Sequence, residues 1–534
     1  MEKMAQEQEG INLENALFNA ADVLRSKMDA NEYKNYLLGT IFYKYLSDSM
    51  LYYVAELLEE ENVSLEEAQK LYEENQDDPD LIDELNLKFN YVIDAKNTYT
   101  NILKTVNNHT FQISQLGDAF NSIESQGKEF EGLFDDYDLY SKRLGSTAQK
   151  QSDTISGVLS AIGKLEIVKT PGDTLGDAYE YLIGQFASES GKKAGEFYTP
   201  QQVSELLTRL TLVNKDYTDG MTVYDPTMGS GSLLLNFRKY VERSERITYF
   251  GQEINTSTYN LARMNMILHH VDIVNQKLRN GDTLDEDWPI EEITNFDAVV
   301  MNPPYSYKWS ANAGFKDDPR FSAYGVLPPK SKADYAFLLH GYYHLKHSGV
   351  MAIVLPHGIL FRGAAEGKIR KKLLENGAID AVIGLPANLF YNTSIPTTIV
   401  VLKKDKQDRD VLFIDASKDF RKVKTQNELR DEDVEKILTT YKERKDIDKY
   451  AHLASFDEIK ENEFNLNIPR YVDTFEPEPE INLDEVSKEL RETNEKIKEN
   501  ETELISMLKD LTSKDEKIMK GLNDFISVLE EDVK

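Results

Sequence analysis

The sequence predicts an α/β protein with a mostly parallel, doubly wound sheet, an all-helical region before the sheet and a long helix after it. From Met221 onward, short β-rich runs alternate with helical patterns; the runs are "MTVYDP", "ITYFGQEI", "FDAVVMN", "GVMAIVLP" and "AIDAVIGLP". Strand–helix alternation of this kind favours a parallel sheet that binds ligands at the carboxyl ends of its strands. "TTIVVLKK" follows the last run too closely for a crossover helix, which predicts an antiparallel pair there.

The region before the sheet is predicted to be helical. The stretches "INLENALFNAADVLRSKM" and "EYKNYLLGTIFYKYLSDSMLYYVAELL" carry apolar residues at three- and four-residue spacing, with polar residues between them. We therefore place a helical domain at residues 1–165 and the sheet-containing domain at residues 166–475.

The last segment, residues 476–534, is predicted to be a helical tail that packs along a partner. It starts with "EPEPE", a short stiff linker at residues 476–480. Beyond the linker, one apolar row repeats every seven residues: Leu483, Leu490, Ile497, Leu504, Leu511, Ile518 and Phe525. The companion row that a two-stranded coiled coil requires is interrupted by Ser487, Asn494, Glu501 and Asp515.

Charge and composition restrict the function. The chain has 534 residues and a formal net charge of −31, which argues against unaided binding to nucleic acid, because Lys and Arg contacts to phosphate supply most non-specific affinity. The absence of cysteine excludes disulfides and a thiol nucleophile. No apolar run approaches the roughly 18 residues of a membrane span, and residues 1–10 do not resemble a signal peptide, so we expect a cytoplasmic protein.

A glycine turn directly after the first predicted strand indicates a ligand site. In "YDPTMGSGSLLL", Asp225 ends the strand, and Gly229, Ser230 and Gly231 form a tight turn into a helix near Ser232. The turn is not a phosphate-binding Walker loop and lacks the third glycine of the dinucleotide fingerprint. An acidic residue beside the turn suits a cationic or amino-bearing ligand.

Two more acids follow the next two predicted strands. Glu253 ends the second strand, where α/β folds place a carboxylate on ribose hydroxyls, and Asp282 would end the third, where it can meet an adenine amine. Three acids at successive strand ends, one beside a glycine turn, favour a nucleoside-bearing ligand over solvated strand ends. The loop "GEFYTP", residues 195–200, adds two aromatic residues and a proline before the first strand.

The fourth predicted strand ends in an unusually rigid way. In "VVMNPPYSY", Pro303 and Pro304 remove two backbone donors and hold Asn302 and Tyr305 at a set spacing. A rigid turn alone explains an isolated Asn-Pro-Pro, but the neighbouring ligand site favours a functional role.

Together these motifs resemble the amino-group DNA methyltransferases, in the order of the adenine-specific γ group, and most closely the modification subunit of type I restriction systems. The matches are "EFYTP", "DPTMGSG", Glu253 and "NPPY", with the helical start and "FNLNIPRYV", so the resemblance covers roughly residues 11–475. It implies a seven-stranded, Rossmann-like fold that uses S-adenosylmethionine. It also implies that the following residues bind the cofactor: Glu196, Phe197, Tyr198, Thr199, Pro200, Gln201, Asp225, Gly229, Ser230, Gly231, Glu253 and Asp282.

The resemblance also implies the chemistry of the rigid strand end. The Asn302 side chain and the Pro303 carbonyl would each accept a hydrogen of an adenine amine, with Pro304 stiffening the loop and Tyr305 stacking on the flipped base. Direct transfer to an amine needs no cysteine nucleophile and no metal. His340, His344 and His347 have the spacing of helical metal ligands, but no acidic general base lies between them, and we interpret them as packed or solvated.

The partners follow from the same resemblance. It implies a specificity subunit that selects the DNA sequence, and a second copy of this chain bound to the same specificity subunit. It also implies a motor-nuclease subunit that joins them in a larger complex, and double-stranded DNA with a flipped adenine, in a bacterial or archaeal cytoplasm. Two other functions stay open. One is a stand-alone adenine methyltransferase or a protein-glutamine methyltransferase, since the latter also carries "NPPY"; the other is a non-catalytic assembly subunit.

Overall fold

The computed structural model describes residues 13–60, 62–169, 173–189, 198–285, 287–289, 294–391, 394–423, 426–473 and 482–532. These residues divide into two compact units, and the division falls after Asp473. The predicted boundary between residues 165 and 166 lies inside the first unit and stays a prediction.

The first unit begins with nine helices over its described residues. They are α1 (13–20), α2 (Asp22–Arg25), α3 (Ala30–Leu57), α4 (Leu65–Asn75), α5 (Pro79–Phe89), α6 (Tyr99–Asn107), α7 (Ile113–Glu124), α8 (Ala148–Gly163) and α9 (Thr174–Glu189). Residues with short polar side chains cap the N-termini of several helices. At the start of α4, the Ser64 hydroxyl accepts from the Glu67 amide, and the Glu67 carboxylate accepts from the Ser64 amide. The helices share one apolar core, which also takes in residues of a helix from the sheet region, such as Leu261 and Met264.

The sheet region contains the remaining elements of the first unit. Its helices are α10 (Gln201–Leu212), α11 (Ser232–Leu235), α12 (Phe237–Tyr240), α13 (Thr256–Leu268), α14 (Pro319–Ser322), α15 (Asp334–Tyr343), α16 (Ala364–Glu375), α17 (Asp431–Glu443) and α18 (Phe456–Glu461). Its strands are β1 (Met221–Asp225), β2 (Ile247–Glu253), β3 (Gln276–Asn280), β4 (Phe296–Met301), β5 (Leu345–Pro356), β6 (Ile379–Gly384), β7 (Thr397–Lys403), β8 (Val411–Asp415), β9 (Arg421–Val423), β10 (Gln426–Glu428) and β11 (Ala451–Ala454).

Nine strands form one twisted sheet in the order β11-β8-β6-β7-β5-β4-β1-β2-β3. The strands from β5 to β3 are parallel to their neighbours, and β7 runs antiparallel between β5 and β6. The predictions of a mostly parallel sheet and of an antiparallel β6–β7 pair are both confirmed. Strands β8 and β11 extend the seven-stranded arrangement at one edge, and β9 and β10 form a separate two-stranded ribbon.

Apolar side chains cover both faces of the sheet. One core contains Val223 and Val300, and the other contains Tyr224 and Val299, so consecutive strand residues point to opposite cores. Burial on both faces explains why central strands such as β1, β4, β6 and β7 are nearly continuous apolar runs, whereas the edge strand β3 is polar and only partly buried. Among the described residues, no helix has the length and apolar character needed to cross a membrane.

The second unit contains α19 (Leu483–Lys509) and α20 (Glu516–Asp532). The heptad row predicts one helix as far as Phe525, whereas the structure interrupts it at residues 510–515. Polar side chains account for the break: the Asp515 side chain accepts from the Lys517 amide, and the Ser513 hydroxyl accepts from the Asp515 amide. Short polar groups of this kind compete with helix hydrogen bonds.

The seven residues of the heptad row are all exposed, between 44% and 74%. The buried hydrophobic residues of this unit are instead Ile505 and Ile526, among the residues that the structure describes. Much of the apolar row therefore stays exposed in the described part of the tail.

Candidate functional site

The site is built on the carboxyl ends of four adjacent parallel strands, β4, β1, β2 and β3. Asp225 is the last residue of β1 and Glu253 the last of β2, while Asp282 follows β3 by two residues. Asn302 follows the last residue of β4 directly. Because parallel strands end at one edge of a sheet, four residues from distant parts of the sequence meet there.

Asp225 is the most buried of the three strand-end acids, with 1% of its surface exposed. Its Oδ1 accepts hydrogen bonds from the Thr227 amide at 2.9 Å and from the Thr227 hydroxyl at 3.2 Å. Burial raises the pKa of Asp225 to about 8; the Thr227 hydrogen bonds lower it and the charge of Glu253 raises it further. A cationic ligand group beside Asp225 would favour its ionised form.

The glycine turn lies against the end of β2. Gly231 has a φ of +80° and precedes α11, and Gly229 has a φ of +55°, both in the left-handed region that favours glycine. On the facing strand, a Cβ at Gly251 would lie 2.3 Å from the sulfur of Met228, so only glycine lets the turn approach the strand. The turn is thereby held beside Glu253.

Glu253 is 8% exposed and joins the turn to the start of α13. Its Oε2 accepts from the Gly229 amide at 3.1 Å, and its Oε1 accepts from the Asn255 amide at 2.8 Å. Charged acceptors paired with backbone donors form strong hydrogen bonds. The carboxylate is therefore fixed in orientation at the edge of the cavity.

Asn302 takes part in a short chain of side-chain hydrogen bonds. Its Nδ2 donates to the Thr199 hydroxyl at 3.1 Å, and its Oδ1 accepts from the Tyr305 hydroxyl at 2.7 Å. The Tyr305 ring is half-buried and packs edge-on against Phe390, with centroids 6.1 Å apart. Burial raises the pKa of Tyr305, so its hydroxyl keeps its proton and donates.

A buried acid holds the loop after Tyr305. Asp334, at the start of α15, is 1% exposed and accepts from the Ser306 amide at 2.9 Å through Oδ1. Its Oδ2 accepts from the Arg362 guanidinium at 2.6 Å. The two prolines and this ion pair together make the strand exit rigid.

The four strand ends open into a cavity of about 510 Å³, within the usual range for small-molecule sites. Glu253, Asp282 and Asn302 line it. A second, small cavity is lined by Asp225, the turn residues Gly229 and Ser230, and Asn302, so Asn302 borders both.

These hydrogen-bond acceptors fit S-adenosylmethionine. Carboxylates can accept from ribose hydroxyls and from an adenine amine, and the buried Asp225 can accept from an ammonium group. The larger cavity would hold the adenosine half. The smaller one, at about 20 Å³, has room for about one water-sized group, so it would receive only the ammonium end of the amino-acid half, beside Asp225.

Of the remaining predicted residues, some line the two cavities and others do not. Tyr198 and Thr199 line the small cavity, and Pro304 lines the large one. Pro200 precedes α10 and Gln201 donates to Asn236 at 3.0 Å, and neither lines these two cavities. Pro303 is buried, and the predicted residues Glu196 and Phe197 lie outside the described residues.

The cavity also includes residues that sequence reasoning missed. Asn31 and Lys34 of α3 line it, as do Tyr307 and Phe337. Tyr307 follows the rigid strand end and is 39% exposed, so its position in "NPPYSY" was a usable signal. Asn31 and Lys34 gave none, because they lie more than 200 residues before Glu253 in a region predicted only as helical.

The histidine row belongs to a buried hydrogen-bonded cluster. His340 and His344 are at most 1% exposed, whereas His347 is exposed in β5. His344 Nδ1 donates to the Thr294 carbonyl at 2.6 Å, and its Nε2 lies 2.8 Å from Asp287. Asp287, His340 and His344 are close enough to share a metal ion.

The partners of His340 favour a structural role for this group. Its Nδ1 lies 3.1 Å from the Arg320 guanidinium, and its Nε2 lies 2.9 Å from the Tyr224 hydroxyl. Burial, with the charges of His344 and Arg320, holds the pKa of His340 well below its usual value. A guanidinium in contact with His340 disfavours a further cation.

Two family models match the sequence. The model of the N-6 DNA methylase family matches residues 170–480, which is more than half of the chain. The model of the HsdM N-terminal domain matches residues 13–162. The two matches cover the sheet region and the helical region, respectively.

Two relatives and one solved structure are similar over most of the chain. The methylase subunit of the type I restriction enzyme MpnII from Mycoplasma pneumoniae is 36% identical over 94% of this chain and 97% of its own length. The methylase subunit of the type I restriction enzyme MjaVIII from Methanocaldococcus jannaschii is 33% identical over 89% of this chain and 80% of its own length. The crystal structure of a type I restriction-modification methyltransferase subunit from Streptococcus thermophilus is 61% identical and superposes with a TM-score of 0.86 over 87% of this chain and all of that one.

Proposed function

This chain belongs to the N-6 DNA methylase family as the methyltransferase subunit of a type I restriction-modification complex, and from that premise we propose a specific reaction and a role for each residue of the site. As an adenine-specific, S-adenosylmethionine-dependent DNA methyltransferase, it methylates the N6 amine of adenine in a DNA sequence that a separate specificity subunit selects. Methylation protects host DNA, and the same subunit is needed for the restriction complex.

The cofactor site extends from the large cavity toward the small one beside Asp225. S-adenosylmethionine supplies the activated methyl group when bound. Asp225 and the turn at Gly229–Gly231 hold its amino-acid half, Glu253 accepts from the ribose hydroxyls, and Asp282 accepts from the adenine amine. Asp282 is itself fixed, since its Oδ1 accepts from the Leu284 amide at 2.9 Å.

Asn302 and its neighbours orient the target amine. The adenine amine is a weak nucleophile because its lone pair is delocalised into the ring. When the Asn302 side-chain carbonyl and the Pro303 carbonyl each accept one amine hydrogen, the lone pair is directed away from the ring and toward the methyl group. This contribution comes from positioning and electrostatics.

Tyr305 has two roles in this proposal. Its ring stacks on the flipped base, and its hydroxyl, hydrogen-bonded to Asn302 Oδ1 at 2.7 Å, fixes the orientation of the amide. A carbonyl oxygen has two lone pairs, so Asn302 Oδ1 can accept from Tyr305 and from the target amine together. Pro304 keeps the two residues at a constant spacing.

The observation that carries the proposal is the position of Asn302. It borders both the small cavity beside Asp225 and the large cavity beside Glu253. The methyl donor bound across these cavities would therefore lie beside the residue that orients the amine.

The partners are proposed from charge and exposure. A net charge of −31 is unfavourable for DNA binding, so a specificity subunit supplies sequence recognition and much of the positive charge. The exposed apolar row of residues 476–534 holds that subunit, which carries a second copy of this chain, and the motor-nuclease subunit joins for cleavage. Residues 1–165 and 166–475 act as the helical and the methyltransferase domain.

Methyl transfer to DNA is the test of this function. The chain is purified with its specificity subunit and supplied with methyl-labelled S-adenosylmethionine and either duplex DNA or release-factor protein. We expect label in N6-methyladenine of the DNA. Label in protein glutamine would contradict the proposal and favour a glutamine methyltransferase. Label in neither substrate would contradict it and favour a non-catalytic assembly subunit.

A further inference from the structure

The helical region forms part of the wall of the large cavity. Asn31 and Lys34 lie on the first turns of α3 and line the same cavity as Glu253 and Asp282. Residues three apart in a helix share a face, so both side chains approach the cavity together. The cavity is therefore enclosed from two regions that are separate in the sequence.

Packing fixes α3 in this position. Tyr33 and Leu37, on either side of Lys34, are buried in the helical core, at 2% and 0% exposure. The Asn35 amide donates to the Ser257 hydroxyl, at 3.4 Å, at the start of α13. The start of α3 consequently lies beside the segment that directly follows Glu253.

A second set of hydrogen bonds joins α13 to the helical region. Arg263 donates to the carbonyl of Glu131 at 2.9 Å, and Asn260 donates to the carbonyl of Gly132 at 2.7 Å. Both acceptors lie between α7 and α8. Helix α13 is thus held against the helical region both by α3 and by the segment between α7 and α8.

The wall adds hydrogen-bond donors to a cavity whose other charged side chains are acids. Lys34 is 8% exposed, and its ammonium group carries three donors and no acceptor. A ribose hydroxyl both donates and accepts: Glu253 can accept its hydrogen, and a donor must meet its oxygen. Lys34 and the Asn31 amide are the side chains on the opposite wall that can supply that donor.

We infer that Lys34 and Asn31 are cofactor-binding residues that close the adenosine half of the S-adenosylmethionine site from the helical region. This inference rests on the proposed function, because it takes the large cavity to hold adenosine. The cofactor then connects the helical region to the sheet, so binding depends on residues outside the methylase-family match at residues 170–480.

Calorimetry with two ligands tests the inference. S-adenosylhomocysteine and 5′-methylthioadenosine share the adenosine half and differ in the amino-acid half. Titrations of the full chain use the wild type, Lys34→Met, Asn31→Ala and, as a matched control, Lys142→Met, which removes an exposed lysine of the same region. A charged hydrogen bond contributes enough for about a tenfold to a hundredfold change in Kd.

We expect Lys34→Met to weaken both ligands by at least about tenfold and by the same factor. Asn31→Ala should weaken both by a smaller factor, and Lys142→Met should change neither. Unchanged affinity, or a loss confined to S-adenosylhomocysteine, would overturn the inference. The ligand-free Lys34→Met variant can also have a lower Tm. If Lys34→Arg then restores the affinity, the result supports the inference. If Lys34→Arg does not restore the affinity, Lys34 has a structural role and the inference is overturned.

Glu253→Ala separates this inference from the proposed function. If Glu253→Ala loses affinity for both ligands while Lys34→Met and Asn31→Ala keep it, the cofactor site stands and the inference fails. If the wild type binds neither ligand, the proposed function fails as well.

Discussion

The Tyr305 hydroxyl donates a hydrogen bond to Asn302 Oδ1 at 2.7 Å, and Asn302 Nδ2 donates to Thr199 at 3.1 Å. The amide that is proposed to orient the target amine is therefore held at both of its polar atoms. This relationship supports a role for Tyr305 beyond the proposed base stacking.

Tyr305→Phe should separate the two roles of Tyr305. The variant keeps the ring and loses the hydrogen bond, so we expect single-turnover methylation to fall about fivefold, as for the loss of about 1 kcal/mol. Tyr305→Ala also loses stacking, worth about 1–3 kcal/mol, and should fall further. Equal rates for wild type and Tyr305→Phe would limit the residue to stacking.

Cofactor affinity should depend on pH through Asp225. Its pKa in the ligand-free protein is raised to about 8, mainly by burial, and a cationic ligand group favours the ionised form. Affinity should therefore rise with pH, by up to about tenfold per unit, until the pH passes this pKa. Calorimetry near pH 7 in two buffers of different ionisation enthalpy should detect proton release on binding.

The raised pKa of Asp225 also makes the stability of the protein depend on pH. The folded protein holds the Asp225 proton more tightly than the unfolded chain, whose Asp pKa is about 3.9, so Asp225 lowers the free energy of unfolding as pH rises from about 4 to 8. Asp225→Asn should remove both the proton release and this part of the pH dependence. Proton release that persists in Asp225→Asn would assign it to another group.

Among the cations of the segment after the rigid strand end, Arg320 should be the one whose substitution lowers the free energy of unfolding most. It is 2% exposed and donates to the carbonyls of Thr283 at 2.9 Å and Leu284 at 3.2 Å, next to Asp282. Arg320→Ala leaves Asp318 without its buried partner and should cost about 3–5 kcal/mol in denaturant unfolding. Lys308→Ala, an exposed control, should stay within about 0.5 kcal/mol; similar unfolding midpoints for the two variants would refute this role.

The exposed apolar row of the tail should determine assembly. Ile497 is 47% exposed on α19, and Ile497→Glu should abolish co-purification with the specificity subunit, because assembly would bury an unpaired charge. Thr502→Glu introduces the same charge about 140° around the helix and should assemble normally. A normal complex mass for Ile497→Glu would return the tail to a dispensable, solvated helix.

The strand ends could be predicted because their signals are local. Asp225 and Glu253 each follow an apolar run, and the parallel topology brings such ends together without any further information. The antiparallel β7 was predictable from the short connection that precedes it, which leaves no room for a crossover helix.

The contacts that sequence reasoning missed are long-range. Thr199 and Asn302 are 103 residues apart, and Lys34 reaches the cavity only because α3 packs beside α13. The motifs "EFYTP" and "NPPY" mark Thr199 and Asn302 as site residues, but no local pattern encodes the contact between them or the approach of α3. The break after Lys509 was missed for another reason: the seven-residue row continues through it, while Ser513 and Asp515 satisfy backbone groups locally.

In the proposed mechanism, Asn302 orients the target amine and does not hold the cofactor. The most direct test of this role is the methylation rate of Asn302→Ala in complex with the specificity subunit, measured in a single turnover with saturating S-adenosylmethionine. We expect the rate to fall by several orders of magnitude while calorimetry gives an unchanged Kd for S-adenosylhomocysteine. A rate near that of the wild type would show that Asn302 does not orient the amine.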